Sequence, residues 1–314
     1  MTMHMKRILM MVMLAGILAA PALAQTSEKE YYERYLLLVN RLGPAGVGVE
    51  TLLERWENDF PESENMLVAK FNYYNAKAQR SEVVGKDALK FLGNPPVLTL
   101  KDSLGVEIRY FEEIFYDDEL YGKASEAIDK AIRLCPEKLE YRFCKITSLI
   151  SYEKESPDMA TAALQSLIDY YYGSKGTSWT YNGEAVDNEF FKSAVQEYCY
   201  TFYTIGTPVS YNAFKAVSEK MLGYDKNDAL FLANLGSYYF VVKGDNKNAK
   251  KYYDRVLKIT PEDYPTIKNC VLMARKSDDK KSEKKYLPLL IRYSPDPAER
   301  MSAQARLDLL NKKK

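Results

Sequence analysis

Histidine is nearly missing from this 314-residue sequence; the one copy is His4. It stands in an N-terminal segment that reads as a removable leader. Lys6 and Arg7 make a positive start, and Ile8 to Ala20 is an uncharged apolar run of 13 residues. Pro21 breaks the run, and Ala22-Leu23-Ala24 is an A-x-A cleavage signature before Gln25. A bilayer span takes about 20 apolar residues, so the run is too short for one. Gln25, not cysteine, follows the small residues, so no lipid anchor is expected. Cleavage after Ala24 would leave a chain without histidine. That excludes Ser-His-Asp and Cys-His nucleophilic catalysis, His-containing zinc sites and imidazole proton transfer.

Cysteine is also scarce. Cys135, Cys144, Cys199 and Cys270 are the four, and none stands in a C-x-x-C. Zinc ribbons and thioredoxin-like motifs are excluded, and no metal or other cofactor is expected. An exported compartment permits a Cys135–Cys144 disulfide, but four thiols in a long core-forming chain read more readily as small buried apolar groups. No charge of one sign dominates. Losing Lys6 and Arg7 from 44 basic residues leaves 42 against 43 acidic ones. There is no electrostatic footprint for nucleic acid and no broad basic face for acidic membranes. No stretch after the leader is apolar for long enough to be transmembrane. Glycine and proline number 15 and 13, too few for a low-complexity or collagen-like chain.

What is present is helical. Tyr31, Tyr35, Leu38 and Leu42 recur at spacings of 4, 3 and 4. Met66, Phe71, Tyr74 and Ala78 make a similar stripe, as do Leu232, Leu235, Tyr239 and Val242. Breaks fall at short polar or proline-bearing turns, such as Pro61-Glu62-Ser63 and Lys243-Gly244-Asp245. That alternation is the grammar of antiparallel helix pairs. An internal repeat is visible as well. Ala124, Ile128, Ala131 and Pro136 are separated by 4, 3 and 5 residues, and Ala249, Tyr253, Val256 and Pro261 repeat those offsets. Upstream stand Asn234-Leu235-Gly236 and Tyr239, and Pro261 and Pro295 are 34 apart.

These residues resemble the tetratricopeptide repeat (TPR) family, whose 34-residue unit is two helices with small and apolar residues at set positions. Leu235, Gly236 and Tyr239 match its first helix, with Phe231 in place of the family's tryptophan. Ala249, Tyr253 and Val256 match its second helix, and Pro261 its closing proline. Gly236 to Ala249 is one residue longer than the pattern. The match is specific over 229–295 and architectural over 25–312. It implies an all-α solenoid of stacked helix pairs, a right-handed superhelix, in an exported bacterial protein of the periplasm or medium. A helix near 298–311 reads as the polar cap that such a stack needs at its end.

Two insertions interrupt the repeats. Residues 93–110 read as a β-hairpin, from Val97-Leu98-Thr99-Leu100 and Val106-Glu107-Ile108-Arg109-Tyr110. Residues 173–187 hold Asn182-Gly183 between short runs, a strong hairpin signal. Each is either a specificity element or a flap over exposed core.

No constellation demands catalysis. Gly43 to Gly48 has the wrong spacing for a phosphate loop and reads as a turn. Glu112-Glu113 and Asp117-Asp118-Glu119 read as acids just before or within a helix's first turn, where the dipole favours them. Asp225 to Asp228 and Asp245 to Asn248 lack the glycine and distal glutamate of a calcium loop, so they read as caps.

The resemblance implies a non-catalytic scaffold binding a protein or peptide partner, with self-association open. Its groove positions fall on Leu230, Ala233, Ser237, Phe240 and Val241. The lysine and asparagine that clamp peptide C-termini in some members are absent, which favours a mainly apolar ligand or packing against the chain's own next unit. The alternative is a glycan- or cell-wall-binding module with carboxylate-based hydrolysis. It would use surface rings among the 26 tyrosines and two tryptophans, Trp179 and Tyr181 foremost. Mass spectrometry of the exported protein should find Gln25 at its N-terminus; a retained Lys6 would refute the leader.

Overall fold

The computed structural model describes residues 26–312. The leader signature of residues 1–24 lies outside them. The described residues are mostly helical, in successive antiparallel helix pairs with small antiparallel sheets inserted. The chain divides into two compact units, described separately.

The first unit holds α1 (Glu28–Leu42), α2 (Val49–Asp59), α3 (Glu64–Lys77) and α4 (Asp118–Leu134). Local chemistry sets the boundaries. Ser27 and Glu30 form a reciprocal capping box on α1, and Ser63 caps α3 through the Met66 amide. The glycine-rich segment is a turn, with Gly48 at φ +86° where a side chain would be strained. Trp56 is fully buried, and Tyr31 stacks beside it with ring centroids 6.0 Å apart. The α3–α4 pair closes on Met66, Phe71, Ala124, Ile128 and Ala131, all buried.

The second unit opens with β1 (Gln79–Lys86), β2 (Leu98–Lys101) and β3 (Glu107–Tyr116) in the order β1-β3-β2, antiparallel throughout. This corrects two sequence expectations. The hairpin of 93–110 has a third strand, β1, which shows no alternation because most of its residues are exposed. Glu112 and Glu113 lie on β3, not at a helix start.

Helices follow in pairs: α5 (Leu139–Glu153) with α6 (Asp158–Gly173), then α7 (Asn188–Ile205) with α8 (Pro208–Tyr224). The hairpin of β4 (Thr180–Tyr181) and β5 (Glu184–Ala185) sits between the two pairs in sequence. Asn182 and Gly183 both have positive φ, 50° and 82°, as a type I′ turn requires. Next come α9 (Ala229–Ser237), a π-helical turn (Tyr238–Val242) and α10 (Asn246–Ile259). Last are α11 (Tyr264–Lys276), α12 (Lys280–Tyr293) and α13 (Pro297–Lys312).

The extra residue between Gly236 and Ala249 is absorbed by the π turn. Lys243 N–H donates to the Tyr238 carbonyl five residues back, at 3.2 Å. Asp228 and Asp245 cap α9 and α10, as expected of turn acids. Glu283 on α12 is buried and takes Arg275 of α11 at 2.7 Å and Arg306 of α13 at 2.9 Å. The last three helices therefore share one carboxylate.

Gly236 sits where α9 meets α10. A Cβ built there would lie 2.5 Å from Tyr253 Cδ1, and Tyr253 is fully buried. Gly236→Leu should cost about 3 kcal/mol or more, by overpacking. Gly122→Ala, on an exposed face of α4 with open space around it, should instead stabilise by about 0.5–1 kcal/mol. Thermal melts of the two variants check both signs.

Candidate functional site

A cleft of about 600 Å³ lies within the second unit, between β3, α5 and the segment joining β1 to β2. That volume suits a ligand site. Its outer wall is Phe91 to Val97. Phe91 and Asn94 exchange backbone hydrogen bonds of 3.0 and 2.9 Å around Leu92 (φ +49°) and Gly93 (φ +82°). Gly93 is pressed against α7: a Cβ there would lie 2.6 Å from the Thr204 carbonyl oxygen. Phe91 packs edge-on against buried Phe111 of β3. The wall is thus anchored at Phe91 and at Gly93 within its tight turn.

The inner side carries one carboxylate between two ammonium groups. Glu113 is 11% exposed; Lys154 Nζ stands 2.7 Å from Oε1 and Lys86 Nζ 2.8 Å from Oε2. The two lysines also lie over rings, Lys86 over Phe91 and Lys154 over Phe115. Lys154 ends α5 at φ +57°, a backbone state that residues with side chains seldom adopt, and its ammonium reaches Glu113 from there. Burial pushes the Glu113 carboxyl up, but the hydrogen bonds from Lys154 and Lys86 outweigh it and hold the group below the usual carboxylate range. Both its oxygens are engaged.

Sequence spacing does not reveal this cleft. The partners of Glu113 lie 27 and 41 residues from it, and no local pattern joins them. The available signals are Pro95-Pro96 before a strand and two acids inside an aromatic run.

The residues singled out from the sequence fall elsewhere. Leu230, Ala233, Ser237 and Val241 form a stripe along α9 and the π turn, at spacings of 3, 4 and 4. Leu230 is 40% and Val241 53% exposed, and Ala233 and Ser237 are half-buried. Ser237 and Tyr253 share a hydrogen bond across the pair. Phe240 is 8% exposed and belongs to the core, because the π turn advances the chain by one residue and rotates it inward. Trp179 is 6% exposed, wedged against Tyr170 and Tyr171. Tyr181 is half-buried between Phe143 and Phe190. The hairpin is sewn down by Thr180 N–H donating to the Glu137 carbonyl. A flat exposed Trp179–Tyr181 platform is therefore not formed. Cys199 and Cys270 are free thiols in the core, Cys144 is free and exposed, and Cys135 is half-buried. Burial fits the sequence expectation for only the first two.

No family model and no curated protein matches the chain. Among solved structures it is similar to PilF of Pseudomonas aeruginosa, at 12% identity over 89% of this chain and 97% of that one, with a TM-score of 0.35. It is also similar to the flexible tandem repeat domain of a bacterial cellulose synthase component, at 12% identity over 92% and 98%, with a TM-score of 0.28. At this distance neither protein's role transfers. No helix among the described residues is long and apolar enough to cross a membrane.

Glu113→Gln should destabilise by about 1–3 kcal/mol near neutral pH, since it leaves two lysines facing one uncharged group. The folded carboxyl titrates below its unfolded value. Its contribution is therefore present above about pH 4.3 and lost as pH falls through the lower, folded value. The melting-temperature gap between wild type and variant should narrow in acid. A gap that is constant with pH would mean the ion pairs do not stabilise.

Proposed function

We propose that this protein is a non-catalytic, exported scaffold of tetratricopeptide-repeat type that binds a protein partner. The observation that carries this reading is the stripe on α9. Along α9 and the π turn that continues it, where the other residues are buried or half-buried up to Val242, Leu230 and Val241 stay exposed. Exposed apolar groups on an ordered helical segment are a ready contact for a partner's apolar side chains. Three further features support it. The repeat signature runs from Leu235 to Pro261, the cleft carboxylate is held as a doubly paired anion rather than poised for proton transfer, and the N-terminal segment carries the A-x-A leader signature. Periplasmic or secreted localisation follows from the leader.

The glycan reading loses its platform, because Trp179 serves as packing beneath its hairpin.

A photo-crosslinking residue placed at Ser237 should capture a partner from envelope extract. Leu230→Asp with Val241→Asp should cut that capture about tenfold, equivalent to about 1.4 kcal/mol, with melting temperature unchanged. Undiminished capture in the double variant would place the partner elsewhere, and no capture at all would sink the scaffold reading.

A further inference from the structure

Beyond Tyr110, β3 continues for six residues with a strand on one side only. On that open side lies the cleft. The pairing pattern says which backbone groups face it. Val97 N–H donates to the Tyr110 carbonyl, and Leu98 and Leu100 stand opposite Tyr110 and Ile108. Backbone N–H and C=O groups alternate sides along a strand, so the next two residues aimed at that side are Glu112 and Ile114. Both line the cleft. Phe111, Glu113 and Phe115 point theirs at β1.

The edge is open for a chemical reason. Had β2 begun earlier in the same register, Pro96 would face Glu112 and Asn94 would face Ile114. Proline has no N–H to donate, and Asn94 is spent in the turn with Phe91. The chain therefore leaves the sheet at Val97 and returns as the cleft's far wall. What remains is a strand-shaped gap. One side offers two backbone donors and two acceptors, the other the apolar faces of Phe91, Pro95 and Pro96. An added strand sits about 4.8 Å from its neighbour, and four extended residues span about 13 Å, the length of Phe111 to Ile114.

Charge narrows the occupant further. Glu113 supplies one negative charge against the two positive charges of Lys86 and Lys154, leaving one cation in excess. Glu112 does not cancel it, since its carboxylate accepts from Ser81 of β1 at 2.6 Å, on the other side of the strand. Arg109 and Glu107 neutralise each other.

We propose that this edge binds an extended peptide segment of a partner protein by strand addition, pairing with Glu112 and Ile114 and setting a carboxylate beside Lys154. The inference rests on the scaffold reading and adds a second contact to it. Main-chain pairing supplies affinity that tolerates many sequences, and the lysine selects for acid.

The test uses the exported chain from Gln25 and a phage-displayed library of random linear peptides as the probe. Selected peptides should carry Asp or Glu. A synthesised binder should slow hydrogen exchange at the Glu112 and Ile114 amides, leaving Phe111 and Glu113, already paired to β1, unchanged. Lys154→Ala should weaken binding about tenfold and Lys154→Arg should largely restore it. Ile114→Pro, which deletes a cleft-facing donor only, should abolish binding while circular dichroism stays native. Binding that leaves the Glu112 and Ile114 amides unprotected would overturn the proposal. So would protection of those amides that rises with protein concentration alone, since the occupant would then be a second copy of this chain. Peptides competing only at Leu230 and Val241 would overturn strand addition and leave the scaffold reading standing. A library that yields no binder overturns strand addition alone, because capture at Ser237 tests the scaffold with whole partners.

Discussion

The pair of α9 and α10 carries more apolar surface than two helices can bury between themselves. α9 shows the constraint most sharply. Phe231, Leu232, Leu235 and Gly236 are buried on a nine-residue helix, so packing surrounds it on more than one side. α8 and α10 both take part. Burying a large apolar side chain gains about 1.5–3 kcal/mol, and α9 collects several such terms only when its neighbours are in place. The stack is therefore cooperative from pair to pair. Gly236 is where this tightens into a geometric requirement, since Tyr253 occupies the space that any side chain there would need.

Apolar packing is non-directional and does not by itself select one register. Polar contacts between neighbouring helices do that. Asn234 and Gln196 exchange two side-chain hydrogen bonds between α9 and α7, and Lys192 of α7 meets the α9 cap Asp228 at 2.8 Å. Glu283 joins α11, α12 and α13 in the same way. Such buried ion pairs add little net stability, because desolvation offsets most of the attraction. A slipped register would strand each of them without a partner, which costs far more than the pair gains.

These two kinds of interaction differ in how they are written into the chain. Close packing at Gly236 and Ala249, the type I′ turn at Asn182-Gly183 and the aspartate caps each depend on residues within one turn or one repeat, so their spacing exposes them. The one-residue excess in the repeat is visible as a number, but its consequence is not. The π turn decides that Phe240 turns into the core while Val241 stays out, and a repeat register alone assigns both to one groove. β1 is hidden because a strand exposed on both faces has no reason to alternate. The cleft is hidden because Lys86, Glu113 and Lys154 come from two strands and a helix end. Only the folded path brings them together.

An open strand edge is ordinarily a hazard, since it templates pairing with any other edge. The sheet here handles its edges differently along their length. Charged Lys101 ends β2, and Arg80 and Glu82 stud β1. The unpaired part of β3 is instead set behind the Phe91–Val97 wall. A pre-formed sheet is many strands wide and cannot enter a gap bounded by that wall and by α5, whereas a single extended segment can. Pro96 and the Phe91–Asn94 turn together deny β3 its intramolecular partner beyond Tyr110. Removing Pro96 alone would not close the gap, because Asn94 stays in its turn with Phe91 and Gly93 stays packed on α7. The open edge leaves the backbone groups of Glu112 and Ile114 without ladder partners, and the turn that leaves them so also packs Phe91 on Phe111 and Gly93 on α7. An added strand would restore those ladder bonds without moving either contact.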